Sequence, residues 1–507
     1  MSSRRPNILL ITSDQQHRST LGTVNDRIRT PALDRLCNEG VRFDRAYCPN
    51  PTCTPTRASI ITGMYPSQHG AWSLGTKLYE DVPTFTQMLM QSGYTTGLVG
   101  KAHFQPLKSV YGMESIEAMP NWRDLDFWRK FRGPWYGFEN VEISRMHGSE
   151  CLVGGHYAIW MEENGFANWA DHFEKWPQDP EFAKRLRANR HWALPEEFHY
   201  TRWTGERTIA QLDRAAQDER PFFLWASFHD PHPPYIVPEP WASMYDPADM
   251  VPGKLTAGEH DRNPIHFGKT QEDDPDWWRE AARGEAIHGG KSHLRDEGEL
   301  RKDMAVYYGM VSFMDQQIGR ILDRLDEQGL ADNTIVVFTT DHGHFLGQHG
   351  LIAKAIHHYE DVMRLPFIVR YPGKVPAGKT SEAIQNLVDL APTFLSAAGL
   401  EKTGLMPGVD QMPAWCGADP VRTWSVSENH HGTEHFHMRS YVNQRYKITV
   451  YRDGTDGELF DLEKDPGEVN NLWHDPQAGS LKCELLHEFM QATLQSEQTR
   501  MPRIAGA

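Results

Sequence analysis

A chain that keeps returning to short apolar runs, each closed by polar residues, has few folds open to it. Here the runs are Ile8 to Ile11, Thr96 to Val99, Phe222 to Ala226, Ile335 to Phe338 and Phe367 to Val369. Such runs suit central strands covered on both faces, with ligand groups at their carboxyl ends. Helical signals lie between them: Val311, Met314, Ile318, Ile321, Leu322 and Leu325 recur at helical spacing, and Gly329 offers a stop. This alternation predicts an α/β fold with a large mixed, mostly parallel central sheet flanked by helices.

Two stretches break the rhythm. Residues 104–210 carry Trp122, Trp128, Trp135, Trp160, Trp169, Trp176, Trp192 and Trp203 among many charges, and read as an aromatic insertion with its own small core or as a wall over a site. Residues 251–300 are strongly polar, include Gly289-Gly290, and read as a long loop or lid. Near residues 380–425 the pattern changes. Tyr441 to Tyr451 and Glu458 to Leu462 look like strands flanking the Asp453-Gly454 turn, and Leu481 to Leu494 looks helical. At 507 residues the chain is long enough for two domains, a catalytic α/β domain over 1–415 and a smaller C-terminal α+β domain with an antiparallel sheet over 416–507.

A formal net charge of −16 gives no general attraction to nucleic acid or an anionic bilayer, so an anionic substrate has to be caught locally. Six cysteines without a CxxC pair argue for reduced thiols rather than a disulfide scaffold or a zinc site. The apolar run near the N-terminus is far shorter than a membrane span or a secretory core, and a cytoplasmic location is expected.

The most informative segment is Cys53-Thr54-Pro55-Thr56-Arg57-Ala58-Ser59-Ile60-Ile61-Thr62-Gly63. It fits a cysteine at a helix N-terminus, where amides and Arg57 stabilise an anion; taken alone, it is more simply a buried thiol and a surface cation. Asp14 follows the first apolar run and Asp341-His342 follows Val336-Val337-Phe338. Parallel strands would gather these carboxylates at one edge, where a cation between them and an anionic substrate makes physical sense, although each Asp taken singly fits a helix cap or a turn.

Cys53 to Gly63 resembles the signature of the sulfatase family, a Cys-x-Pro-x-Arg followed by a helix and a Thr-Gly. The resemblance continues in family order through Tyr65-Pro66, His69-Gly70, Gly100-Lys101-Ala102-His103, Pro231-His232-Pro233-Pro234, Asp341-His342-Gly343, Gly347-Gln348-His349-Gly350 and Lys354. It reaches Glu458-Leu459-Phe460-Asp461-Leu462 and Asp465-Pro466-Gly467-Glu468. It implies that Cys53 is oxidised to formylglycine by a formylglycine-generating enzyme, and that one hydroxyl of the hydrated aldehyde attacks sulfur or phosphorus while the other releases the covalent ester. It further implies one divalent ion held by Asp14, Gln15, Asp341, His342 and an oxygen of modified residue 53.

By the same resemblance Arg57 orients the nucleophile and Lys101 and Lys354 hold the substrate's nonbridging oxygens. His103 assists turnover of the covalent ester, and His232 stands near the leaving oxygen. Gln15 and His342 stand where many relatives carry aspartate and asparagine, which moves the ion from calcium toward manganese and resembles the phosphonate monoester hydrolase branch. The expected activity is hydrolysis of a small anionic ester, first an aryl sulfate as in a sulfuric ester hydrolase. The alternatives are a phosphonate monoester or phosphodiester, and a noncatalytic anion-binding protein that kept the fold. His349 fits a residue orienting the site. His357, His358, His430, His431, His435 and His437 lack a complete metal-ligand spacing and fit the rim of the substrate entrance. A homo-oligomer is compatible with all of this.

Overall fold

The computed structural model describes residues 5–145, 152–173, 190, 192–272, 290–354, 356–430, 437–499 and 501. Its central strands are β1 (Asn7–Ser13), β2 (Val41–Phe43), β3 (Thr95–Lys101), β4 (Asn140–Ser144), β5 (Phe222–Ser227), β6 (Thr334–Thr340), β7 (Phe367–Arg370) and β8 (Lys379–Ser381). They form one eight-stranded sheet in the order β8-β2-β7-β6-β1-β5-β3-β4. All five apolar runs are strands of this sheet. β7 pairs antiparallel with both neighbours, and every other pairing is parallel.

Every residue of β1, β5 and β6 is buried, because helices cover both faces. Side chains alternate across a strand. Leu9 and Ile11 of β1 join Val336 and Phe338 of β6 in a core with helices α1 (Pro31–Glu39), α3 (Tyr200–Ala215) and α4 (Glu297–Glu327). Ile8 and Leu10 face the other way, into a core with Ile60 and Ile61 of α2 (Cys53–Thr62) and with Phe223 and Trp225 of β5. The residues forecast as helical by spacing lie in α4, whose Asp296 cap accepts from the Gly298 and Glu299 amides, and Gly329 follows its end at φ +65°.

In the aromatic stretch, Trp122, Trp128 and Trp135 enter the main core, while Trp169, Trp192 and Trp203 build a separate cluster with Tyr157 and Phe173 against which Trp160 packs. Trp176 lies outside the described residues. In the polar stretch, residues 297–300 open α4 rather than continue a loop, and Ile265–Lys269 is a short helix. Beyond the large sheet, β9 (Ser425–His430), β10 (His437–Val442), β11 (Tyr446–Tyr451) and β12 (Gly457–Asp461) form an antiparallel sheet beside helix α5 (Gly479–Gln495). The run from Tyr441 to Tyr451 is not one strand. The Asn443 side-chain oxygen accepts from the Arg445 and Tyr446 amides at 2.9 and 2.8 Å, and that turn divides it. Among the described residues no helix is long and apolar enough to cross a membrane.

The segment before residue 272 is fastened to the loops beyond β6 by His349. Its ring stacks on Tyr359 at 3.5 Å, and its Nδ1 lies 3.0 Å from a carboxylate oxygen of Glu259 and its Nε2 3.6 Å from one of Asp361. Burial alone would lower its pKa, but the hydrogen-bonded Asp361 and Glu259 carboxylates outweigh this and push it up to about 9. A histidine whose folded-state pKa is raised contributes stability in full below its ordinary value of 6.5 and loses it as pH rises through about 9. In denaturant titrations the wild type should lose stability across that window relative to His349→Gln, and parallel curves for the two would count against the charged latch.

Gly100, one residue before Lys101, sits at φ +101°, and a Cβ there would lie 1.9 Å from the Ser227 carbonyl oxygen. Only glycine lets β3 press so closely on β5 at the edge where Lys101 leaves the sheet. Gly100→Ala should therefore cost about 2–5 kcal/mol, a backbone penalty plus an overpacking penalty. Gly399→Ala, at φ +72° with open space around its Cβ, should pay only the backbone part, about 1–2 kcal/mol. Equal midpoints for the two variants in chemical unfolding would refute the close-approach argument.

Candidate active site

Parallel strands deliver chemistry to one edge because their carboxyl ends point the same way. β1 ends beside Asp14 and Gln15, β6 beside Asp341 and His342, β3 beside Lys101 and His103, and β5 beside the turn holding His232. β7 runs the opposite way, so the Phe367 run brings no group to this edge from its carboxyl end, contrary to the sequence expectation. Cys53 is the first residue of α2, the N-terminal position at which unpaired amides favour an anion.

One ligand atom each from Asp14, Cys53, Asp341 and His342 lies within 4.8 Å of the others, and all four residues are buried. The His342 Nδ1–H donates to the Gly343 carbonyl at 3.0 Å, leaving the Nε2 lone pair aimed into the cluster, 3.2 Å from the Cys53 sulfur. Gln15 is held at φ +64°; its amide donates to Asp341 at 3.1 Å, and its side-chain nitrogen bonds His344 at 2.9 Å. The Gln15 Oε1 is buried, and among the described residues it has no hydrogen-bond partner. Two carboxylates, a thiol and an imidazole lone pair in one buried cluster fit a divalent cation, with Gln15 joined to that cluster through its amide on Asp341. Burial and the charge of Asp14 push the Asp341 pKa up. For Asp14, burial and Cys53 act upward, but Lys101 and other nearby cations outweigh them and hold it well below the usual carboxylate range.

Around this cluster stands a ring of cations. Lys101 forms an ion pair with Asp14 in which both side chains are fully buried. Arg57, equally buried, donates to Asp341 at 2.9 Å, to the Lys101 carbonyl at 2.9 Å and to the Ser227 hydroxyl at 2.7 Å. Lys354 donates to the Cys53 sulfur at 3.0 Å and lies 3.3 Å from both His232 Nε2 and His342 Nε2. His232 bonds the Pro233 carbonyl through Nδ1 at 2.6 Å, so its Nε2 lone pair faces Lys354. His103, at φ +57°, is a hydrogen-bond partner of Cys53. Burial alone would raise the Cys53 thiol, yet Lys101, Lys354 and His342 hold it well below its ordinary value. The arrangement stabilises a negative charge at residue 53 and on any anion in front of it.

All the site residues named from the sequence thus meet at one edge. His349 stands behind this ring on Tyr359, and His344 bridges Gln15 to the Tyr235 hydroxyl. His357 and His358 are buried away from the cluster, the latter bonded to the Ser440 hydroxyl at 2.7 Å. His430 stacks between Trp72 and His437, while His431 and His435 lie outside the described residues. Sequence reasoning missed Glu117 and Arg145, a buried ion pair whose arginine charge reaches both Cys53 and His103. It also missed Asp230, whose carboxyl accepts from the Tyr200 and Thr201 hydroxyls and whose carbonyl accepts from the Asp14 amide. A polar residue directly after β4 was the available signal for Arg145.

The family model described as Sulfatase matches residues 6–400, and one described as N-sulphoglucosamine sulphohydrolase, C-terminal, matches residues 347–495. An arylsulfatase of Clostridium perfringens is 29% identical, covering 92% of this chain and 90% of its own. A multifunctional alkaline phosphatase superfamily protein, PehA, of Trinickia caryophylli is 27% identical, with 94% and 93% covered. The solved structure of a phosphonate monoester hydrolase from Silicibacter pomeroyi superposes with a TM-score of 0.78 at 23% identity, covering 98% of this chain and 96% of that one. Since the first of these matches takes in most of the sequence and every site residue named from it, the chain belongs to the sulfatase family.

Proposed function

We propose that this chain hydrolyses small esters of a singly charged tetrahedral centre, with phosphonate monoesters and phosphate diesters ahead of sulfate monoesters. The cluster of Asp14, Cys53, Asp341 and His342 between Lys101 and Lys354, with Gln15 bonded to Asp341 beside it, carries the reading. Its amide and imidazole donors, Gln15 and His342, together with the likeness to a phosphonate monoester hydrolase and a multifunctional relative, support the phosphorus esters. The family match and the arylsulfatase relative support sulfate monoesters as the second reading.

A divalent cation bound by these residues would offset the two carboxylates and polarise an ester oxygen. The mixed donor set favours manganese, with calcium as the alternative. The nucleophile is residue 53 after oxidation of its thiol to formylglycine by a maturation enzyme. One hydroxyl of the hydrated aldehyde attacks phosphorus or sulfur as the bond to the leaving oxygen breaks, and its proton passes through the Lys354–His232 pair to the departing alcohol. His103 then takes the proton of the second hydroxyl as the bond between residue 53 and the phosphorus or sulfur group breaks, releasing the phosphonate, phosphate monoester or sulfate anion. That restores the aldehyde, which water hydrates again. Lys101 and Lys354 hold the nonbridging oxygens as charge is redistributed.

Removal of divalent ions should abolish turnover, and manganese or calcium should restore it in the wild type but not in Asp14→Ala or Asp341→Ala. Elemental analysis alongside the assay is the check, and undiminished activity in verified metal-free protein would defeat the metal assignment. Activity should also rise with the fraction of residue 53 converted, read as a peptide about 18 Da lighter than the cysteine form and by an aldehyde-selective probe. On fully converted protein, kcat/KM should rank aryl phosphonate and bis-aryl phosphate above aryl sulfate. The reverse order would transfer the assignment to sulfate, and full activity with an intact Cys53 thiol would overturn the nucleophile.

A further inference from the structure

We infer that Glu117 is the positioning residue of His103, with Arg145 as its charge partner. The Glu117 carboxylate accepts the amide of His103 on one oxygen at 3.2 Å and the amides of Phe104 and Gln105 on the other at 2.9 Å each. Arg145 donates from one nitrogen to Glu117 at 2.8 Å and to the Gln105 carbonyl at 2.7 Å. A single side chain, 14 residues downstream of His103, therefore gathers three consecutive amides of the turn that leaves β3.

That turn is unfavourable by itself. His103 sits at φ +57°, in the left-handed region that a residue with a Cβ pays about 1–2 kcal/mol to enter. The amides collected by Glu117 are what hold it there, with the imidazole on residue 53. Stability alone is a poor explanation for this pair. Glu117 and Arg145 are 1% and 4% exposed, and burial pushes the glutamate pKa up and the arginine pKa down, each toward its neutral form. Buried ion pairs of this kind are commonly matched or bettered by apolar residues, whereas fixing one backbone conformation beside a reacting group needs the directional acceptor that a carboxylate provides.

The inference rests on the role given to His103 above, and a double-mutant cycle separates the two. In converted, metal-loaded full-length protein, Glu117→Gln keeps size but turns one acceptor into a donor facing the His103 amide and Arg145. It should lower the melting temperature, because it leaves the buried Arg145 without its charge partner, and in protein still folded and metal-loaded at the assay temperature it should lower kcat/KM on the order of 100-fold, chiefly through kcat. Glu117→Asp, which keeps the carboxylate, should recover part of the loss. Glu117→Gln combined with His103→Ala should be no slower than His103→Ala alone, since a positioning residue has nothing left to position. Independent, multiplying losses would overturn the inference while leaving His103 its role, and full turnover by His103→Ala would overturn both. Should Glu117→Gln fail to fold, the same cycle run with Glu117→Asp reads the same coupling.

Discussion

Two aspartates that burial would keep apart are forced together here, and much of the molecule is arranged around that conflict. Asp14 and Asp341 leave the adjacent parallel strands β1 and β6 at the same level, with no exposed surface on either side chain. Uncompensated, such a pair would cost several kcal/mol per charge. Each carboxylate instead has a buried cation of its own, Lys101 for Asp14 and Arg57 for Asp341, and their remaining oxygens face a common centre with Cys53 and His342. The cations come from different elements, the end of β3 and the second turn of α2. The electrostatic requirement therefore fixes how α2 sits against the sheet, and Arg57 reinforces this by donating to the carbonyl of Lys101.

The layers behind the cluster follow the same logic. His344 ties Gln15 to Tyr235, Tyr307 stacks on His344 at 4.7 Å and donates to the Gln15 carbonyl, and His17 reaches Asp361, which His349 shares. The small antiparallel sheet joins from the other side: Glu428 of β9 meets the segment before Cys53 through the Pro49 carbonyl and the Asn50 side chain. The antiparallel β7 has a role in this. Because it enters the sheet from the active edge, the residues ahead of it, Glu360 to Met363, pass close behind the site, where Val362 and Asp361 carbonyls accept the Gly343 and His344 amides.

The strands and the helix that begins at Cys53 were legible because each rests on local pattern: consecutive apolar residues for the sheet, and Cys53 with Arg57 one turn on for the helix start. Asp14 and Asp341 were legible because each directly follows such a run. Strand direction was not, since the Phe367 run looks like the others and only its neighbours set its polarity. Nor could spacing reveal Glu117, which acts on backbone amides 12 to 14 residues away. The left-handed conformations at Gln15, His103, His349 and Ala353 carry no composition signal, because none of these residues is a glycine. The Asn443 turn was hidden inside an otherwise strand-like run, where one side-chain oxygen took over two amides.

The depth at which Cys53 lies has a consequence for how an active molecule is made. The thiol is the first helical residue of α2, about 1% exposed, behind Lys354 and against His103 and His342. Under the conversion proposed for residue 53, a second protein would have to reach a segment that is helical and interior in the folded chain. Oxidation and folding would then compete for the same stretch during synthesis. A chain that folded first would keep its sulfur, and the converted fraction of a preparation would record the outcome of a race rather than an equilibrium.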